Sequence, residues 1–243
     1  MKLHYTDRYL YKLDDSFFNL FSGLLSKSFE ETNIIQTFNN EWASVVTTLS
    51  KSFHVDTSMI HEVFTIDRLD YKGDLLYDFG FNIEKAKRYI SDSKKELFKF
   101  HLIQFGEINE NLPFVYQHEK PIHTLRRDPI IVAADYVTGR SLQYPEDMLM
   151  DVPLVIDGNH RVSYAKEQGY DSIASYYLSL DELIQNDIML SRLDSALLAQ
   201  AADIIKVVRL STSCNSVSTF ESRVTNYYES SYLFKYFRDC ISN

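Results

Sequence analysis

Residues 152–169 constrain the fold more than any other part of the chain. An apolar run at 154–156 leads into Asp157-Gly158, and glycine adopts positive φ at little cost, so this pair predicts a tight turn. The residues after the turn have helical spacing up to Gly169, and a second apolar run follows at 173–178. The predicted order of strand, turn, helix and strand places backbone N–H groups at a helix start, where anions bind well.

Three polar residues follow the turn glycine. Asn159 is predicted as the N-cap of the helix, because its side-chain oxygen can accept from a backbone N–H. His160 and Arg161 then lie in the first helical turn, where the helix dipole disfavours each cation by about 0.3–1 kcal/mol. A bound anion removes this mismatch, since guanidinium, imidazole and N–H groups all suit phosphate. The alternative is that Arg161 pairs with a nearby acid and His160 is a half-buried side chain.

The run Asp157-Gly158-Asn159-His160-Arg161 resembles the central motif of the ParB/sulfiredoxin superfamily. It is closest to the Asp-Gly-His-His-Arg form of that family's free-serine kinases. The helix end at 165–169, the strand after it and the proline-led strand at 128–132 also resemble the family, so the similarity covers residues 120–180. Asn159 stands where sulfiredoxins carry cysteine and ParB partition proteins usually carry glutamate, which argues against sulfinic-acid reduction and against DNA partition.

The resemblance implies an α+β fold, with a small mixed-sheet core flanked by N-terminal and C-terminal helices. We assign residues 1–60 to an N-terminal helical cap, 61–180 to the nucleotide-binding core and 181–243 to a C-terminal helical segment. It further implies binding of ATP, ADP or CTP with Mg²⁺, and either nucleotide hydrolysis or a kinase-type phosphoryl transfer. The alternatives are a non-catalytic regulatory or DNA-associated ParB-like protein, and a metal-dependent nuclease.

Site residues follow from the motif and from a basic loop upstream of it. The predicted nucleotide-binding residues are Gly158, Asn159, His160, Arg161, Lys120, His123 and Arg126. If the protein is an enzyme, His160 is expected to stabilise the charge that develops during phosphoryl transfer. Asp157 would orient a metal or hydroxyl, and Asp67 is the candidate general base. Alternatively, the loop is simply an exposed basic loop and Asp67 a solvated acid. Because Arg161 is assigned to the ligand, Arg161→Ala is expected to abolish nucleotide-induced thermal stabilisation and to leave the melting temperature of the ligand-free protein nearly unchanged.

Apolar spacing predicts the helices around this core. Helices are expected over residues 17–25, after Asn82, after the capping box at Ser179, after Ser191, and over 219–240. A further stripe consists of Ile35, Phe38, Trp42, Val45 and Leu49. The C-terminal helices either pack on the N-terminal pair or form a homodimer face.

The helix after Asn82 is predicted to have an apolar side and a basic side. The apolar side carries Ile83, Ala86, Ile90, Leu97 and Phe98, and the basic side carries Lys85, Lys87, Arg88, Lys94, Lys95 and Lys99. Such a face is usually solvated, but it is also the best candidate for contact with an acidic partner such as DNA.

Composition restricts the partners and the cellular compartment expected for this protein. The net charge of −9 works against broad non-specific binding to nucleic acid. The two cysteines, Cys214 and Cys240, fit a reducing compartment better than a disulfide framework. No apolar run approaches the roughly 20 residues of a membrane span, and no signal core is evident. We therefore expect a cytoplasmic protein that does not contact a membrane.

Overall fold

The computed structural model describes residues 20–21, 23–51, 62–69, 75–105, 128–135 and 152–241, and these ranges contain both helices and strands. The strands are β1 (Val63–Leu69), β2 (Leu75–Asn82), β3 (Phe98–His101), β4 (Ile130–Asp135), β5 (Val152–Asp157) and β6 (Ser172–Leu178). The helices are α1 (Lys27–Glu30), α2 (Asn33–Lys51), α3 (Ile83–Asp92), α4 (Asn159–Glu167), α5 (Leu180–Gln185), α6 (Arg192–Thr212) and α7 (Val217–Tyr228). This composition confirms the predicted α+β class.

The strands form one hairpin and one mixed sheet. β1 and β2 pair antiparallel, while the four-stranded sheet has the order β3-β6-β4-β5. Within it β4 runs parallel to β6 and antiparallel to β5, and β3 runs antiparallel to β6. The predicted small mixed sheet is confirmed, as is the hairpin that brings the proline-led strand next to the turn at Gly158.

Both faces of the mixed sheet are covered at β4 and β5, which explains the continuous apolar runs of these two strands. Ile130 and Val132 face a small core with Val162 and Ala165 of α4. Their neighbours Ile131 and Ala133 belong to a larger core on the other side, formed with the remaining helices. The sheet therefore lies between α4 and a helical layer.

The helical layer joins the two ends of the chain. The α2 stripe Ile35, Phe38, Trp42, Val45 and Leu49 is buried as predicted, and α2 packs on α6 and α7. Of the two alternatives for the C-terminal helices, packing within the chain is therefore confirmed, and a homodimer through them stays a prediction. None of the helices in the described ranges combines the length and apolar character needed to cross a bilayer.

Three helix predictions are wrong in detail. The described residues between 20 and 25 form turns rather than a helix. The helix after Asn82 ends at Asp92, so that Leu97 and Phe98 are exposed by 57% and 49% instead of lying on its apolar side. The single C-terminal helix is interrupted after Tyr228 and continues as a π-helical turn, Leu233–Phe237.

The interruption has a physical cause in Asp203, a fully buried carboxylate of α6. It accepts hydrogen bonds from the backbone N–H groups of Tyr232 and Leu233, each at 3.0 Å, and from the Tyr227 hydroxyl at 2.6 Å. Burial raises the pKa of this carboxyl to about 6, although these hydrogen bonds oppose the shift. The carboxylate replaces the helical acceptors that a continuous helix would have supplied.

Asp203 is expected to make stability depend on pH in an unusual direction. Below pH 3.8 its carboxyl is protonated in both the folded and unfolded states, and above about pH 6 it is ionised in both. The folded state bears the desolvation cost only when the carboxyl is ionised. The contribution of Asp203 to the free energy of unfolding therefore falls by about 3 kcal/mol as pH rises through this window.

Urea unfolding of the wild type and of Asp203→Asn at pH 4, 5, 6 and 7 measures this contribution. The difference between the two pH profiles should show the loss with rising pH, since Asn keeps an oxygen acceptor but does not titrate. Asp187→Asn, at an exposed carboxylate, is the control. Parallel profiles for wild type and Asp203→Asn would contradict the assignment.

Candidate functional site

The turn between β5 and α4 depends on Gly158. Its φ is 103°, a left-handed value that side chains rarely adopt, and an added Cβ would lie 2.5 Å from Cγ2 of Ile130. Gly158 itself is the N-cap of α4, so the prediction of Asn159 as N-cap is wrong by one residue. Asn159 is instead the first helical residue, 7% exposed, and its side-chain amide donates to the Val155 carbonyl at 3.4 Å.

Arg161 is used inside the protein. Its guanidinium donates to the carbonyl oxygens of Asp128 at 2.5 Å and Pro129 at 2.9 Å, and pairs with Asp157 at 3.1 Å. The side chain is only 16% exposed. Arg161 therefore fastens the start of β4 to the turn, and the alternative in which it pairs with a nearby acid is what the structure shows.

The Asp157 carboxylate is shared between two cations. Its second oxygen lies 3.3 Å from the Lys87 ammonium of α3, and Lys87 in turn lies 2.6 Å from Glu62. Partial burial lowers the pKa of Lys87, but the hydrogen bond to Glu62 and the two neighbouring carboxylates outweigh it, so the pKa is raised overall. The result is a chain of alternating charges that runs from the start of β1, across α3, to α4.

A cleft of ≈ 920 Å³ opens beside this chain of charges. Its basic lining consists of Lys87, Lys94, Lys95, His160 and Arg161, and its acidic lining of Glu62, Asp128 and Asp157. Apolar and aromatic side chains complete the wall: Val63, Phe64, Ile83, Ile90, Ile131, Ile156 and Tyr176. The N-terminal end of α4 lies at this cleft, because Gly158, Asn159 and His160 are all among the lining residues.

Most of the cations in the cleft already have protein partners. Lys95 pairs with Glu182, whose carboxylate also accepts from the Tyr89 hydroxyl at 2.8 Å and from the Ser179 backbone N–H at 2.9 Å. Burial tends to raise the pKa of Glu182, but these hydrogen bonds lower it to about 2. Glu182 also completes the capping box predicted at Ser179, so Lys95 connects the cleft to α5.

Lys94 differs from the other lysines of the cleft. It is exposed, and no carboxylate in the part of the chain that the structure describes pairs with it. Its φ is 50°, and the left-handed region costs a residue with a side chain about 1–2 kcal/mol relative to ordinary helical backbone. An attractive interaction with the C-terminal end of α3 offsets about 0.3–1 kcal/mol of this.

The remaining predicted residues fall in two groups. Lys120, His123 and Arg126 lie outside the described residues. Asp67 belongs to β1, paired with Asp78, and not to a loop beyond the strand. It is three residues from Phe64, the cleft-lining end of β1, a separation of about 10 Å along a strand.

The structure adds Glu62, Lys87, Lys94 and Lys95 to the site predicted from sequence. The three lysines belong to the basic face predicted after Asn82. The sequence therefore predicted that they form a charged surface, but it did not predict that they share a cleft with the Gly158 turn. Among the described residues no group of three or more His, Cys, Asp or Glu side chains could hold a metal ion.

Comparisons with known proteins give no relative. No family model, no curated protein and no solved structure matches this chain. The resemblance to the ParB/sulfiredoxin superfamily thus stays a prediction that depends on the residues of the turn and its flanking strands.

The contacts of Arg161 reverse the expectation for its removal. Arg161→Ala should lower the free energy of unfolding of the ligand-free protein by about 2–3 kcal/mol, because two carbonyls and the Asp157 carboxylate lose a charged donor. Urea unfolding measures this, with Glu167→Ala, an exposed position on the same helix, as the matched control. A loss no larger than that of the control would show that Arg161 does not support the turn.

Proposed function

We propose that the cleft beside the Gly158 turn binds the phosphate groups of a nucleotide. The observation that carries the proposal is the meeting of the α4 N-terminus with four lysine and arginine side chains and His160 in one cleft. This local cationic lining occurs in a protein whose net charge is −9, and helix N-termini and basic side chains both favour phosphate. The ATP, ADP or CTP specificity comes from the resemblance alone.

The size and the apolar wall of the cleft also suit a nucleotide. Its ≈ 920 Å³ lies in the range of about 300–1,000 Å³ typical of small-molecule sites. Phe64 and Tyr176 are half-buried aromatic side chains in its wall, and aromatic faces stack with nucleobases. In this arrangement the basic lining receives the phosphates and the aromatic lining receives the base.

The residues of the turn have different roles in this proposal. Arg161 holds the turn in place, because its guanidinium already serves three protein acceptors. His160 is the candidate to stabilise charge on a transferring phosphoryl group. Asp157 is held by two cations, which suits a positioning role better than proton abstraction.

Mg²⁺ belongs to this proposal as a companion of the nucleotide. The ion is commonly held by one or two carboxylates together with substrate phosphates. Glu62, Asp128 and Asp157 line the cleft, but Glu62 is paired with Lys87 and Asp157 with Lys87 and Arg161, so the phosphates would supply most of the ligands to the ion that do not come from the protein. When bound, it would neutralise phosphate charge. A cytoplasmic location belongs to the same proposal, and the free thiols of Cys214 and Cys240 suit a reducing compartment.

The DNA-associated alternative has less support. Of the basic face predicted on and after α3, Lys87, Lys94 and Lys95 line the cleft, and Lys87 and Lys95 are ion-paired there. A groove of this kind suits a small anion better than a duplex. The non-catalytic and nuclease alternatives can be distinguished from phosphoryl transfer by measuring whether nucleotide or DNA is converted to product.

A thermal-shift panel of ATP, ADP and CTP, each with Mg²⁺ or EDTA, tests the proposal. A ligand at a hundredfold excess over its Kd should raise the melting temperature by about 5–10 °C. Ser91→Trp, at an exposed cleft-lining position on α3, should abolish the shift by filling the cleft. Ser93→Trp, which is exposed and lies just beyond α3, should keep it.

The products formed in the same samples distinguish the functional alternatives. With plasmid DNA added, release of inorganic phosphate indicates hydrolysis and cutting of the plasmid indicates a nuclease. Unchanged nucleotide and plasmid indicate either a binding protein or a phosphotransferase whose acceptor is absent. Equal stabilisation of Ser91→Trp and wild type, or stabilisation of neither, would contradict nucleotide binding in this cleft.

A further inference from the structure

Three helices of this protein end in the same backbone motif, but with different residues at its left-handed position. After α4 the position is Gly169, with φ 70°, whereas after α3 it is Lys94 and after α5 it is Asp187, both with φ 50°. In each case the next N–H bonds back to a carbonyl five residues earlier, at 3.0–3.1 Å. Glycine is the residue that this position ordinarily favours.

Lys94 is therefore placed where glycine would strain the backbone less. Strained residues that persist in a fold concentrate at ligand clamps and active sites, and this one lines the cleft. Asp187 has the same backbone conformation and is exposed, but it is not a cleft residue. The pair offers a comparison in which the backbone conformation is the same and the position relative to the cleft differs.

The electrostatics of the cleft single out the same side chain. Lys87 is balanced by Glu62 and Asp157, and Lys95 is balanced by Glu182. Arg161 is balanced by Asp157. Among the described cations of the cleft, Lys94 is thus the one whose charge is not offset by a carboxylate, and a bound anion would meet it without displacing an existing ion pair.

We propose that Lys94 determines how strongly the cleft prefers ligands with more phosphate groups. This inference rests on the proposed nucleotide-binding function and names the residue through which the cleft distinguishes ligands by their charge. The exposed ammonium meets the outermost phosphate, while the internally balanced cations fix the shape of the cleft. Affinity should then rise from nucleoside to monophosphate to triphosphate, mainly through Lys94.

A different explanation is that Lys94 is retained for its attraction to the C-terminal dipole of α3. The two explanations predict opposite results for a glycine substitution in the absence of ligand. If the dipole attraction decides, Lys94→Gly lowers the melting temperature. If relief of backbone strain is the larger effect, Lys94→Gly raises the melting temperature by about 2–4 °C. Asp187→Gly should raise it to a smaller extent, because aspartate tolerates this conformation better than lysine does.

The experiment combines ligand-free melting curves with calorimetric titration of adenosine, AMP, ADP and ATP. The four proteins are wild type, Lys94→Gly, Lys94→Arg and Asp187→Gly. We expect Lys94→Gly to melt higher, to lose about tenfold in affinity for ATP and to change by less than about twofold for adenosine. Lys94→Arg should keep the preference for ATP, and Asp187→Gly should keep every affinity within about twofold.

The possible failures are distinguishable. A Lys94→Gly protein with the wild-type ratio of ATP to adenosine affinity overturns the role of Lys94 and leaves nucleotide binding intact. A lower melting temperature for Lys94→Gly together with an unchanged affinity for ATP overturns it too, because Lys94 then serves the fold and not the ligand. Absence of binding by the wild type overturns the proposed function and this inference together.

Discussion

The pairing of one carboxylate with two cations holds the site together. Asp157, 13% exposed, is bound by Arg161 of α4 and Lys87 of α3, and a carboxylate in such a place is costly without partners. Through Arg161 it also fixes the start of β4, and through Lys87 it reaches Glu62 at the start of β1. The two walls of the cleft therefore keep their relative positions through one network of charges.

Local sequence signals suffice to predict the centre of the fold. Gly158 marks the turn because both its φ and its contact with Ile130 exclude a side chain. The apolar strands β4 and β5 could be recognised because both faces of the sheet are covered, which gives runs without polar interruptions. The buried stripe of α2 and the capping box at Ser179 are equally local, so they too were visible in the sequence.

The composition of the site could not be predicted in the same way, because it depends on pairings distant in sequence. Antiparallel pairing of β1 with β2 brings Glu62 beside α3, and Lys87 of α3 in turn reaches Asp157 at the turn, an approach that no local pattern encodes. The partner of Arg161 was foreseen only as an alternative, since two of its three acceptors are backbone carbonyls. The left-handed conformation of Lys94 was hidden because the usual signal, glycine, is absent there.

In the proposed function, nucleotide phosphates bind in this cleft and not on another surface of the protein. Titration of ¹⁵N-labelled protein with ATP and Mg²⁺, followed by amide chemical shifts in two-dimensional NMR, tests it most directly. The largest shifts should occur at Ser91, Lys94 and Lys95 and at residues 158–161, which all line the cleft, and they should saturate together. Saturable shifts elsewhere in the chain, with these residues unchanged, would contradict it.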